Sequence, residues 1–117
     1  IIYITLNIFI MKNKILIFSA TYNESENIIK LLNLIDQLNL KADILIIDDN
    51  SPDGTWKVVQ DYSKNKKNIH LIIREKKEGL DTAHKIAYEY SITNNYQYLI
   101  TMDAGSFQET RKVLLIK

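Results

Sequence analysis

Cysteine is absent from the 117 residues. That excludes disulfides, thiolate metal sites and cysteine nucleophiles, and it is compatible with a cytosolic environment. Excess charge of either sign is also lacking: the formal net charge is +1, which gives no electrostatic case for nucleic acid, so no nucleic-acid partner is expected. Lys64-Asn65-Lys66-Lys67 reads as a solvated loop. The chain has only three glycines, and both the dinucleotide and the P-loop glycine patterns are missing, so a phosphate-bearing ligand would be held in neither of those ways. No apolar run is long enough to span a bilayer. The one at Ile1 to Ile10 ends at Met11-Lys12-Asn13-Lys14 and falls short of the roughly 20 residues required. Its charges follow the apolar region, whereas those of a signal peptide precede it. Residues 1–13 are therefore read as an apolar N-terminal extension, either a membrane-surface or partner-contact segment or sequence upstream of a start at Met11. The second is preferred because the organised domain begins directly after it.

What is present is an ordinary globular composition, 46% hydrophobic and 25% charged, which suits one small domain or a piece of a larger one with a small core. The chain is organised around Ile44-Leu45-Ile46-Ile47-Asp48-Asp49-Asn50-Ser51-Pro52-Asp53-Gly54-Thr55. Here an apolar run gives way within one residue to carboxylates and turn formers. A buried parallel strand opening into a site looks like this, because such strands are apolar on both faces and ligands of open α/β sheets lie beyond their carboxyl ends. Asp53 or Thr55 is expected to cap a helix starting near Trp56.

The surrounding chain alternates regularly. Ile15 to Phe18 reads as a strand ending at Ser19-Ala20-Thr21, and Asn23 with Glu26 as a capping-box start for a helix carrying Ile28, Leu31, Leu32, Ile35 and Leu38 at helical spacing. Strand two is Ile44 to Ile47. A helix from about Thr55 to Ser63 follows, then a strand over Ile69 to Ile73. A helix after Gly79 shows Ala83, Ile86, Ala87 and Tyr90 on one face, and the last strand is Tyr98 to Met102. This rhythm predicts an α/β fold with a parallel sheet of about four strands, right-handed crossovers and helices on both faces.

The functional signal is where the polar residues fall. Thr21, Tyr22 and Glu24 follow strand one, Asp48 and Asp49 end strand two, Arg74 and Lys77 follow strand three, and Asp103 follows strand four. All are at carboxyl ends. Carboxylates mixed with Arg and Lys suit a metal-bridged phosphate ligand, since hard divalent cations take oxygen ligands and basic side chains neutralise phosphate oxygens.

Ala20-Thr21-Tyr22-Asn23-Glu24-Ser25-Glu26-Asn27-Ile28, then Ile47 to Thr55, then Arg74 with Glu78-Gly79-Leu80-Asp81-Thr82-Ala83, then Met102-Asp103-Ala104, resemble the successive motifs of family 2 glycosyltransferases, within them the dolichol-phosphate or polyprenol-phosphate mannose synthases. The resemblance covers residues 14–104. It implies the nucleotide-sugar-binding half of a Rossmann-like GT-A domain, truncated, whose family passes a sugar, typically mannose from GDP-mannose, to a polyprenyl or dolichyl phosphate with inversion. It also implies a divalent cofactor, Mg2+ or Mn2+, and a peripheral place at the cytoplasmic face of a membrane. By motif position Ala20, Tyr22, Glu24, Ile47 and Asp49 are expected around the nucleoside, and Asp103 and Ala104 beside the diphosphate. Asp103 is the catalytic and metal-binding candidate.

The chain departs from the family pattern at Ala20, where Pro is usual, at Asp81, where a small residue is usual, and at Gly105, where the second carboxylate of Asp-x-Asp belongs. Dropping one base from synonymous codons beginning at Gly105 reads Asp-Leu-Ser, two basic residues and Pro. Residues 105–117 are therefore expected to be a non-native, out-of-frame tail, and the chain an inactive fragment. Three further readings stand beside this one: a non-catalytic nucleotide-binding module, a family 2 enzyme with another donor or acceptor, and a phosphorelay receiver. The last would need a phosphorylatable Asp ending strand three, which here ends at Arg74.

Overall fold

The computed structural model describes residues 14–105 in full and the backbone of 106 and 111–115. In order it contains β1 (Ile15–Thr21), α1 (Ser25–Gln37), β2 (Ala42–Asp48), α2 (Thr55–Tyr62), a short 3-10 turn (Ser63–Asn65), β3 (Ile69–Ile73), α3 (Leu80–Thr93), β4 (Tyr98–Met102), a 3-10 turn (Ala104–Ser106) and β5 (Arg111–Leu115). The strands form one sheet in the order β3-β2-β1-β4-β5. The first four are mutually parallel, as the alternating pattern predicts, and β5 pairs antiparallel with β4.

The apolar runs are explained by burial on both sheet faces. Ile17, Ile44 and Ile46 pack with Ile28, Leu31, Leu32 and Val59 under α1 and α2. Their neighbours Leu16, Phe18, Leu45 and Ile47 pack with Ala83 and Ala87 under α3. Successive strand residues point to opposite faces, so a strand covered on both sides must be apolar at every position. Small Ala83 and Ala87, with Ser91 continuing their stripe, let α3 lie close to the sheet.

The chain runs β1, β2, β3 in one direction and then crosses by α3 to β4 on the other side of β1. The crevice at the carboxyl ends of β1 and β4 is therefore the topological switch point, where ligands of open α/β sheets bind.

Several boundaries differ from the expectation. β1 continues through Ser19, Ala20 and Thr21, which pair with Ile46, Ile47 and Asp48, and β2 runs from Ala42 to Asp48. The ladder to β2 carries β1 beyond its apolar run, whereas its pairing with β4 ends at Phe18. The expected capping box of Asn23 and Glu26 is not made: α1 has Glu24 at its cap with no side-chain cap bond. Asn23 instead adopts a left-handed φ of 55°. α2 ends at Tyr62, and Ser63 opens the 3-10 turn.

The expected N-terminal extension, residues 1–13, lies outside the described residues. Of the expected tail, 105–117, the backbone of β5 is described; residues 107–110 and 116–117 and the side chains from 106 onward lie outside the described residues.

Candidate functional site

The register builds the site. Thr21 pairs with Asp48, and Asp48 with Ile73, so the residues that follow the three strands, Tyr22, Asp49 and Arg74, emerge in one row. The ladder extends past the strands: the Asp49 N–H donates to the Thr21 carbonyl at 3.3 Å and the Arg74 N–H to the Asp48 carbonyl at 2.8 Å.

Asp48 is fully buried. Its carboxylate accepts from the Thr21 hydroxyl at 2.7 Å, the Ser51 N–H at 2.9 Å and the Ser51 hydroxyl at 2.7 Å. These bonds satisfy a buried charge that would otherwise be costly, and they fix the turn after β2. Asp49 has a different neighbour. Arg74 grips it in a two-point fork, Nε to Oδ1 at 2.5 Å and Nη2 to Oδ2 at 2.8 Å, and the Glu78 N–H adds a bond to Oδ2 at 3.1 Å. Both side chains are more than nine-tenths buried. The same guanidinium donates from Nη1 to Thr82 Oγ1 at 2.7 Å and from Nη2 to the Gly79 carbonyl at 3.1 Å.

Arg74 therefore joins the end of β2, the end of β3 and the start of α3, with its charge matched by Asp49. Lys77, the other basic residue expected at this edge, holds its ammonium 4.7 Å from the centre of the Tyr22 ring. A cavity of about 120 Å3 opens here, lined among others by Ala20, Tyr22, Asp49, Arg74, Lys77 and Leu80. Its floor is the buried ion pair; its rim includes exposed Tyr22 and Leu80.

Glu24 and Asp103 form a second group on the β4 side of the crevice. The Asp103 carboxylate accepts the Gly105 N–H at 2.9 Å, and Glu24 Oε2 accepts Asn27 Nδ2 at 3.0 Å. A β-carbon placed on Gly105 would lie 2.8 Å from Glu24 Oε1 and 3.4 Å from Asp103 Oδ1. Two hard oxygen donors thus converge on the position where the family's second carboxylate belongs. Carboxylate oxygens are the kind of hard donor a divalent ion takes, and two of them fall short of a complete shell. Among the described residues no group of three or more His, Cys, Asp or Glu gathers to hold a metal.

Of the candidates read from sequence, Ala20, Tyr22 and Asp49 share the cavity, and Glu24 and Asp103 share the second group. The Ile47 side chain lies in the core under α3, and Ala104 is buried in the core under α1. Neither side chain lines the cavity, which leaves each only its backbone to offer a ligand. Gly79, Leu80 and Thr82 were not assigned to the site from the sequence, because the pairing of Arg74 with Asp49 that brings α3 into it depends on register.

Residues 16–106 match the family model described as glycosyl transferase family 2. The chain belongs to that family. Among curated relatives it is 31% identical over 96 residues to an undecaprenyl-phosphate mannosyltransferase of Micrococcus luteus, covering 81% of this chain and 40% of that one. It is 30% identical over 90 residues to a polyprenol monophosphomannose synthase of Mycolicibacterium smegmatis, covering 76% and 34%. The chain thus spans well under half the length of these relatives. Among solved structures, the mannosyltransferase PcManGT of Pyrobaculum calidifontis, determined with GDP-Man and Mn2+, superposes with a TM-score of 0.68 at 21% identity, over 77% of this chain and 27% of that one. That likeness establishes the GT-A fold for this family 2 chain. No helix among the described residues is long and apolar enough to cross a membrane.

Proposed function

We propose that this chain carries the nucleotide-sugar-binding part of a glycosyltransferase that moves mannose from GDP-mannose to a polyprenyl or dolichyl phosphate, with inversion, at the cytoplasmic face of a membrane. The observation that carries the reading is that the cavity of Ala20, Tyr22 and Asp49, and the Glu24 and Asp103 carboxylates that meet at Gly105, both follow the carboxyl ends of the parallel strands. The names of the relatives support the donor and acceptor classes.

The acceptor phosphate is already an anionic nucleophile, so positioning is the main requirement. One of its oxygens bonds to the anomeric carbon as the bond from that carbon to the diphosphate breaks, and the nucleoside diphosphate leaves. In this reading the Tyr22 ring covers the nucleoside, Asp49 accepts a base or ribose hydrogen bond, and Lys77 faces the phosphates. Asp103 and Glu24 would hold the divalent ion. Mg2+ or Mn2+ bound there supplies neutralising charge for the departing diphosphate.

Gly105 favours a second reading, a nucleotide-binding module without catalysis, because the turn after β4 supplies one carboxylate where the family has two. The 117 residues by themselves are accordingly proposed to bind nucleotide without transferring sugar. Calorimetry with GDP and UDP in the presence of Mn2+ tests the shared part of both readings. Measurable affinity is expected, weakened at least tenfold in Asp49→Ala, which removes a buried charge-assisted acceptor. Equal affinity in the variant would sink the assignment of Asp49.

A further inference from the structure

Asp53 lies outside the cavity lining and is exposed, yet its bonds reach the first residues of two helices. Its Oδ2 accepts the Ser25 N–H at 3.1 Å, and its Oδ1 accepts the Thr55 N–H at 3.0 Å. Ser25 and Thr55 are the first residues of α1 and α2. Initial helical N–H groups have no intrahelical partner, and a carboxylate is favoured at a helix N-terminus by the helix dipole. One carboxylate here satisfies two helices.

The contacts around it are reciprocal. The Asn23 N–H donates to Ser51 Oγ at 2.9 Å, the Glu24 N–H to Thr55 Oγ1 at 3.0 Å, and the Asp53 N–H to Asn23 Oδ1 at 3.2 Å. Asn23, Glu24 and Ser25 therefore each direct an N–H onto a side chain of the turn after β2. This is the capping that α1 lacks from its own residues. Burial raises the Asp53 pKa, but the hydrogen bonds from Thr55 and Ser25 outweigh that and hold it below the ordinary carboxylate value.

We infer that Asp53 is a positioning residue: by stapling the turn after β1 to the turn after β2, it holds Tyr22 and Glu24 where a nucleotide meets them. The inference rests on the nucleotide reading above. Asn23 is the pivot of the stapled turn: it takes a left-handed φ of 55°, which asparagine tolerates in turns, and its N–H and side-chain oxygen are bonded to Ser51 and Asp53. Tyr22 on one side of it lines the cavity, and Glu24 on the other reaches Gly105. A turn released at Asn23 would move Tyr22 and Glu24 together.

The test uses the 117-residue chain with Asp53→Ala and Asp53→Asn, read by amide hydrogen exchange at residues 23–25 and by GDP calorimetry well below the melting temperature. Asp53→Ala is expected to speed exchange at Glu24 and Ser25 and to weaken GDP binding about tenfold, since two charge-assisted bonds are lost. Asp53→Asn keeps one acceptor oxygen and is expected to recover part of both losses, which also guards against a variant that merely unfolds. Unchanged exchange, or unchanged affinity with a lowered melting temperature, overturns the inference. If the wild-type chain binds no nucleotide, the nucleotide reading fails and the role of Asp53 toward a ligand fails with it. The exchange data then show separately whether the staple exists.

Discussion

Three aspartates within six positions do three different things, and only their neighbours distinguish them. Asp48 is sealed in and holds Thr21 and Ser51; Asp49 is matched by Arg74; Asp53 is exposed and serves two helix ends. The same logic applies to Gly105, where a missing side chain is the informative feature. A β-carbon there meets Glu24 Oε1 at 2.8 Å, but that atom is the far end of a flexible side chain and can swing away. Gly105→Asp is therefore expected to fold and to restore a second short carboxylate beside Asp103. Mn2+-dependent GDP binding should strengthen about tenfold, because added carboxylate charge raises divalent affinity. Calorimetry with and without chelator checks it, and no gain would argue against Asp103 as a metal ligand.

Among the elements, the start of α3 carries the most consequence. Gly79 takes φ 96° and ψ 156° at its N-cap, a region essentially restricted to glycine. Nothing lies within 4 Å of a β-carbon placed there, so the cost of a side chain is backbone strain alone. Gly79→Ala is expected to destabilise the fold by about 1–3 kcal/mol. The Gly79 carbonyl accepts from both Arg74 and Thr82, so the same change should loosen the cavity wall. Urea denaturation reads the first effect; an unchanged midpoint would show that the turn relaxes without strain. The helix itself was legible from sequence, since Ala83, Ile86, Ala87 and Tyr90 lie at helical spacing. The start of α1 was misread because its partners are 28 to 31 residues away in sequence, beyond the reach of a local capping motif.

For the molecule as a whole, the carboxyl edge of the sheet holds the candidate site and the amino edge carries structural contacts. There the Tyr96 hydroxyl donates to Asp43 at 2.5 Å, Lys14 stands 4.5 Å from the Tyr96 ring centre, and Tyr90 stacks on that ring. Burial, then the Asp43 bond and charge, push the Tyr96 pKa well above its ordinary 10.0. A raised folded-state value means that this contribution is complete below the unfolded pKa and is lost as pH climbs toward the folded one. Stability is expected to fall as pH rises above about 10, with a shallower fall in Tyr96→Phe. Denaturation midpoints across that range check it, and parallel curves would overturn it. By itself the sequence determined the α/β class, the four parallel strands, both apolar faces and the edge on which the polar residues lie, because periodicity and turn chemistry act over neighbouring residues. Only the tertiary structure decided that Arg74 pairs with Asp49, that Ile47 and Ala104 turn their side chains into the core, and that Asp53 caps a helix beginning at Ser25. Those outcomes depend on which strands lie side by side and in what register, and packing across the whole sheet sets that.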